Sequence, residues 1–185
     1  MLRKIHKCSR FTRQRADKMD SDHGHIAEEI RQTKPFPNLE TEAYLTLVLT
    51  AVRLVHDVST LLQPNDLSPP QYNLLRILRG AGEKGLLCNE IAARMVHPVS
   101  DITRLLERLE RRGWIRRRRE THDRRAVRVW ITETGQEIIA PLDTLLAQKH
   151  KAQFGHLGEN KLHELIKILD NIRKHLPKTR EKQRP

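Results

Sequence analysis

Apolar residues recur at spacings of three and four through Leu47, Ala51, Leu54, Val55, Val58, Leu61 and Leu62, which is the period of one helix face. The stripe predicts a helix of about 24 residues that ends before Pro64, because proline removes a backbone donor and clashes with the preceding turn. Upstream, HIAEEIRQTK reads as a short helix stopped by Pro35 and Pro37. Downstream, LSPPQYNLLRILRG predicts another: Ser68 can cap it, Pro69 and Pro70 suit its first turn, and Gly80 stands where it would close. Beyond the turn GEKG come CNEIAARM and HPVSDITRLLERLERRG, both helical, the second closed by Gly113. In that second segment Ile102, Leu105, Leu106 and Leu109 share one face, while Ser100, Arg104, Arg108 and Arg111 share the other. Two short helices joined by a tight turn outline a helix-turn-helix.

The period then changes to two. Val127, Val129 and Ile131 alternate with Arg128 and Trp130, and the polar THDR separates this strand from WIRRRR, which predicts a two-stranded hairpin. Helical spacing returns in TETGQEIIAPLDTLLAQKH, opened by Thr132 and Glu133 with a kink expected at Pro141. It continues in GENKLHELIKILDNIRKHL, where Leu162, Leu165, Ile166, Leu169 and Ile172 form the stripe. The fold class is therefore mainly α: a winged helix-turn-helix domain with a two-stranded β-wing, flanked by terminal helices. Residues 67–132 would form the DNA-binding core, 39–63 and 133–176 the flanking helices, 1–38 a basic, partly disordered arm, and 177–185 a polar tail.

Charge sharpens the picture. Over 185 residues the net charge is +12, which favours a polyanionic partner. From Arg104 to Arg128 eleven arginines face only Glu107, Glu110, Glu120 and Asp123, a local net of +7. Arg116 to Arg119 are consecutive, with no acidic neighbour before Glu120, and repel one another unless a polyanion is present. A helix fits the major groove, where arginine donates two hydrogen bonds to guanine and its neighbours neutralise phosphates. A hairpin tip carrying Arg124 and Arg125 can enter a narrow minor groove. The expected DNA-binding residues are Ser100, Asp101, Thr103, Arg104, Arg108, Arg111, Arg117, Arg119, Asp123, Arg124 and Arg125. Residues 1–18 could add phosphate contacts, although Met19 could equally begin a chain.

The run ITRLLERLERRGWIRRRRETHDRRAVRVWITETG resembles the recognition helix and wing of the multiple-antibiotic-resistance regulator (MarR) family of bacterial transcription factors. Thr103, Arg104 and Leu105, then Leu109, Glu110, Arg112 and Gly113, then Asp123, Arg125, Val129, Ile131 and Thr132 match the family's pattern, and LSPPQYNLLRIL matches its second helix. The resemblance covers about residues 39–176. It implies a cytoplasmic, nucleoid-associated homodimer joined through its terminal helices on a pseudo-palindromic operator, acting as a repressor that a small-molecule effector releases. It further implies that Asp123 braces the wing by pairing with an arginine and that Arg125 is the minor-groove residue. Trp114 and His97-Pro98 depart from the family pattern, so base preference does not carry over. A constitutive architectural DNA binder is the alternative reading.

Other chemistry is thinly represented. Cys8 and Cys88 are too few for a disulfide framework or a cysteine-rich zinc site. Cys88 at a helix start could have a lowered thiol pKa and sense oxidants. His23, His25 and His163 do not converge as metal ligands, so no metal or cofactor is expected. His56 could face an effector cavity. No phosphate loop, dinucleotide turn or serine elbow is present, which argues against an enzyme. No apolar run approaches the ~20 residues of a bilayer span, so no membrane partner is expected.

Overall fold

A computed structural model describes residues 25–96, 101–123 and 125–177. The basic arm with Cys8, Met19 and His23, the His97-Pro98 step, Ser100, Arg124 and the tail from residue 178 lie outside the described residues. The chain divides into two compact units, residues 1–55 and 56–185.

In the first unit, helix α1 (Ile26–Glu29) is a single turn, shorter than HIAEEIRQTK suggested. It stops where Arg31 takes a left-handed φ of 54° and Gln32 donates its N–H back to the Ala27 carbonyl at 2.8 Å. Helix α2 (Leu39–Leu62) begins where Asn38 Oδ1 accepts the Thr41 N–H at 2.8 Å, and its Arg53 pairs with Glu29 of α1. Leu39–Asn65, taken together, has an 18-residue window of mean hydropathy 1.5, long and apolar enough to cross a membrane by length and composition. This corrects the expectation of no such stretch: threonines and Arg53 interrupt every continuous apolar run, but the average over the window stays apolar. Only 6% of that window is buried, and Leu47, Val48, Val52 and Val55 lie open.

The second unit holds one apolar core. Helix α3 (Pro69–Ala81) starts with a reciprocal cap: the Ser68 hydroxyl accepts the Gln71 N–H, and Gln71 Oε1 accepts the Ser68 N–H at 2.8 Å. Its closing glycine is Gly82, at φ 56°, and Gly80 lies inside the helix, a correction to the predicted end. Strand β1 (Leu86–Leu87) precedes helix α4 (Cys88–Arg94), where the Glu90 carboxylate accepts the Leu87 N–H at 2.7 Å. Helix α5 (Ile102–Arg111) leads to strands β2 (Ile115–Arg119) and β3 (Val127–Ile131), then to helices α6 (Glu133–Phe154) and α7 (Gly158–His175). Helix α6 continues through Pro141 as one helix.

The sheet has order β1-β3-β2, all antiparallel, so the predicted hairpin gains a third strand pairing Leu86 with Val129 and Leu87 with Arg128. In the hairpin Ile115 pairs with Ile131, Arg117 with Val129 and Arg119 with Val127. The core gathers Leu62 of α2, Leu74, Leu75 and Leu78 of α3, Ile91 of α4, Leu105, Leu106 and Leu109 of α5, Ile115, Val129 and Ile131 of the sheet, and Ile139, Leu142 and Leu146 of α6. That burial seats α5 on the rest of the unit by its leucine face and leaves its arginine face outward.

One polar cluster ties α3 to α6. The Tyr72 hydroxyl donates to Asp143 Oδ1 at 2.6 Å, and Arg79 lies 2.6 Å from Asp143 Oδ2. Burial raises the Asp143 pKa, but the Tyr72 hydroxyl and then Arg79 and Arg76 outweigh it and hold the carboxyl below its ordinary 3.8. Burial, followed by Asp143, pushes the Tyr72 phenol up to about 12. Asp143 thus contributes stability that is present above its unfolded pKa and lost as pH falls through its lower folded value. Tyr72 contributes stability that is full below pH 10 and lost as pH rises towards 12. In urea titrations Asp143→Asn is expected to cost stability at pH 7 and much less at pH 3. Equal losses at both pH values would place the cost outside the carboxylate.

Candidate nucleic-acid interface

The candidate interface is built on α5 and the hairpin. Asp101 caps α5: its Oδ1 accepts the Arg104 N–H at 3.0 Å, and its Oδ2 lies 3.1 Å from Arg104 Nε. The helix closes on Gly113, at φ 71°, whose N–H donates to the Glu110 carbonyl at 2.8 Å while Trp114 donates to the Leu109 carbonyl at 3.1 Å. This reverse turn needs a residue without a Cβ and aims the chain directly into β2. Thr103, Arg104, Arg108 and Arg111 are exposed along α5.

At the hairpin tip, Asp123 Oδ1 accepts the Arg125 N–H at 2.9 Å, and the Asp123 carbonyl accepts the Ala126 N–H at 2.9 Å. Asp123 therefore folds the tip through the backbone beside it, and Arg125 stands exposed there. Where β3 ends, Thr132 makes four bonds, one of them accepted by its carbonyl from the Gln136 N–H at 2.9 Å. Its N–H donates to the Trp114 carbonyl at 3.0 Å, its hydroxyl donates to the Gly113 carbonyl at 2.6 Å, and its Oγ1 caps α6 by accepting the Gly135 N–H at 3.1 Å.

The arginines divide into two groups. Arg104 pairs with Asp101, Arg112 with Asp66, Arg117 with Glu110 and Arg128 with Glu120. Arg117 lies on the same strand face as buried Ile115, with only 24% of its side chain exposed and its Nε 2.8 Å from Glu110 Oε2. The Glu110 hydrogen bond outweighs burial and raises its pKa, holding it charged and committed. Among the described residues, Arg108, Arg111, Arg118, Arg119 and Arg125 have no acidic partner. Arg116 stacks over the Trp130 ring at 4.6 Å, and Arg112 over Trp114 at 4.6 Å. Arg118, exposed beside Arg116 on the outer sheet face, escaped sequence reasoning; the strand period counted from Ile115 carries the signal that places it there.

The Cys88 thiol is pushed up by burial, which Arg117 only partly opposes, and its Sγ lies 3.5 Å from the Val127 carbonyl. The expected lowering by the helix start is overturned, because burial of the thiol disfavours the thiolate. Among the described residues no three of His, Cys, Asp and Glu come together as a metal site. His56 is exposed on α2 and lines a cavity of about 710 Å³ with Gln63, Asp66 and residues of α5.

The description "MarR family" belongs to the family model that matches residues 65–126, from just before α3 to the end of the hairpin loop. TtmR, an HTH-type transcriptional regulator of Methylorubrum extorquens (strain PA1), is 36% identical over 113 residues, 61% of this chain and 54% of TtmR. The chain thus spans about half the length of that relative. The crystal structure of a MarR transcription factor from Planctomyces limnophilus is 38% identical with a TM-score of 0.58, covering 74% of this chain and 98% of that one. The S. aureus MepR–DNA complex shares the fold at 20% identity and a TM-score of 0.65, covering 72% of this chain and 97% of MepR. The match over the winged core, with 38% identity running the length of the P. limnophilus factor, shows that the chain belongs to the MarR family.

Proposed function

We propose that residues 39–176 form a homodimeric, sequence-specific regulator of transcription that acts in the cytoplasm on the nucleoid, as a repressor released from a pseudo-palindromic operator by a small molecule. The observation that carries this reading is the set of uncompensated arginines, Arg108 and Arg111 on α5 and Arg118, Arg119 and Arg125 on the hairpin. Five unpaired guanidinium groups on a helix and hairpin repel one another in the free chain, and phosphates relieve that repulsion. MepR, which shares this fold, is solved with DNA. Thr103 and Arg104 at the start of α5 would read base edges, and Arg125 would enter the minor groove.

Dimerisation follows from the open apolar faces. Leu47, Val48, Val52 and Val55 on α2, and Ile166, Ile168 and Ile172 on α7, are exposed in the single chain. A second copy would bury them and place two recognition helices one DNA turn apart. The effector would sit in the cavity beside His56 and favour a separation of the two helices that no longer fits successive grooves. The reading requires neither a cofactor nor catalysis.

The test is binding to DNA upstream of the protein's own gene against scrambled DNA across a salt series. A preference of roughly three orders of magnitude or more supports a regulator, whereas equal affinities fading together with salt would support an architectural binder. Arg125→Ala is expected to cost about 1–3 kcal/mol of operator binding with the circular dichroism spectrum unchanged. Unchanged affinity would remove the wing from the interface.

A further inference from the structure

The cavity beside His56 has walls of unlike chemistry. Arg108 and Arg111 of α5 and Arg112 just after it line one side; His56 of α2 and Gln63 in the turn after it line another. Its one carboxylate, Asp66, is already paired with Arg112, which also donates from Nη1 to the Asp66 carbonyl at 2.6 Å. Three arginines against one carboxylate give these walls a formal charge of +2. The volume, about 710 Å³, suits a small molecule and far exceeds what a single ion needs.

We propose that this cavity binds a small molecule bearing a dianionic phosphoryl group, and that the bound anion competes with DNA for Arg108 and Arg111. The inference rests on the effector-released regulator described above and specifies both the effector's chemistry and its point of action. A phosphate monoester carries about −1.5 to −2 charges at pH 7, which matches the +2 of the walls. Its terminal oxygens accept the paired N–H donors of planar guanidinium groups. Arg108 and Arg111 are exposed, have no acidic partner among the described residues, and belong to both the cavity wall and the outward face of α5. Leu105, Leu106 and Leu109 fix the helix in the core, so the flexible arginine side chains swing more readily than the helix moves. Occupancy draws two charges of each protomer away from DNA, in addition to the change in helix separation described above.

The first experiment titrates the full chain, without DNA and at constant ionic strength, with inorganic phosphate, phenyl phosphate and phenol, followed by calorimetry. The two phosphates are expected to saturate one site and phenol is not. His56→Ala combined with Gln63→Ala, both exposed and neither on α5 nor on the hairpin, is expected to weaken phenyl phosphate about tenfold while leaving DNA affinity without anion unchanged. In wild-type protein, saturating phenyl phosphate is expected to make the slope of log K against log salt shallower by about 3–4, as two lost phosphate contacts in each protomer of the dimer require. Arg108→Ala combined with Arg111→Ala is expected to show that shallower slope without any anion.

Absence of saturable binding by both phosphates, or unchanged binding in the His56/Gln63 variant, overturns the cavity assignment. A slope that stays the same with anion bound overturns the competition. Failure of the protein to prefer any operator would instead overturn the regulator reading, and the DNA-free titration judges the cavity independently of it.

Discussion

Gly135→Ala is expected to destabilise the protein by roughly 3 kcal/mol or more, lowering its urea midpoint by about 1 M or more. A Cβ at Gly135 would lie 2.1 Å from the Trp114 carbonyl oxygen and 2.9 Å from Ile131 Cγ1. The first of these is backbone, and it cannot retreat without breaking the bond that the Thr132 N–H donates to the same oxygen. Gly80→Ala is the control. It lies inside α3 with nothing within 4 Å of the added carbon, so alanine is expected to stabilise by about 0.5–1 kcal/mol. If both substitutions shift the midpoint in the same direction, the close approach of α6 to the hairpin base is wrong.

Val52→Glu is expected to leave the monomer folded and to abolish the dimer, with operator affinity falling by about 100-fold or more because a single half-site holds weakly. In the single chain Val52 is 60% exposed, so a carboxylate there faces water and costs the monomer little. Buried against a second copy, the same charge would be unpaired in an apolar seam. Sedimentation velocity separates the outcomes: a variant that remains dimeric removes this face of α2 from the interface. Ile166→Glu, at a position 54% exposed on α7, tests the other face in the same way.

The local chemistry of the chain was legible wherever a residue acts on its own neighbours. Ser68 caps α3, Gly113 closes α5 and Thr132 opens α6, each within a few residues of where it stands. The second unit's sheet was only partly legible, because β1 has two residues and cannot display an alternation. Long-range partners were invisible: Asp66 and Arg112 meet across 46 positions, and Tyr72 and Asp143 across 71. Arg117 was expected at the DNA, yet it turns inward to Glu110 because it shares a strand face with Ile115. The α2 stripe divides: Leu62 is buried and Val58 and Leu61 pack against the core, whereas Leu47, Ala51 and Val55 stay exposed in the single chain.

The four bonds of Thr132 make the base of the hairpin and the first turn of α6 one solid piece. A hairpin of five-residue strands with its loop reaches about 20 Å, so it works as a pointer fixed to the axle of α6. Turning that axle by about 10° sweeps Arg125 at the tip through an arc of roughly 3–4 Å, comparable to a single base step. A slight change of helix angle is thereby magnified into a misplaced arginine.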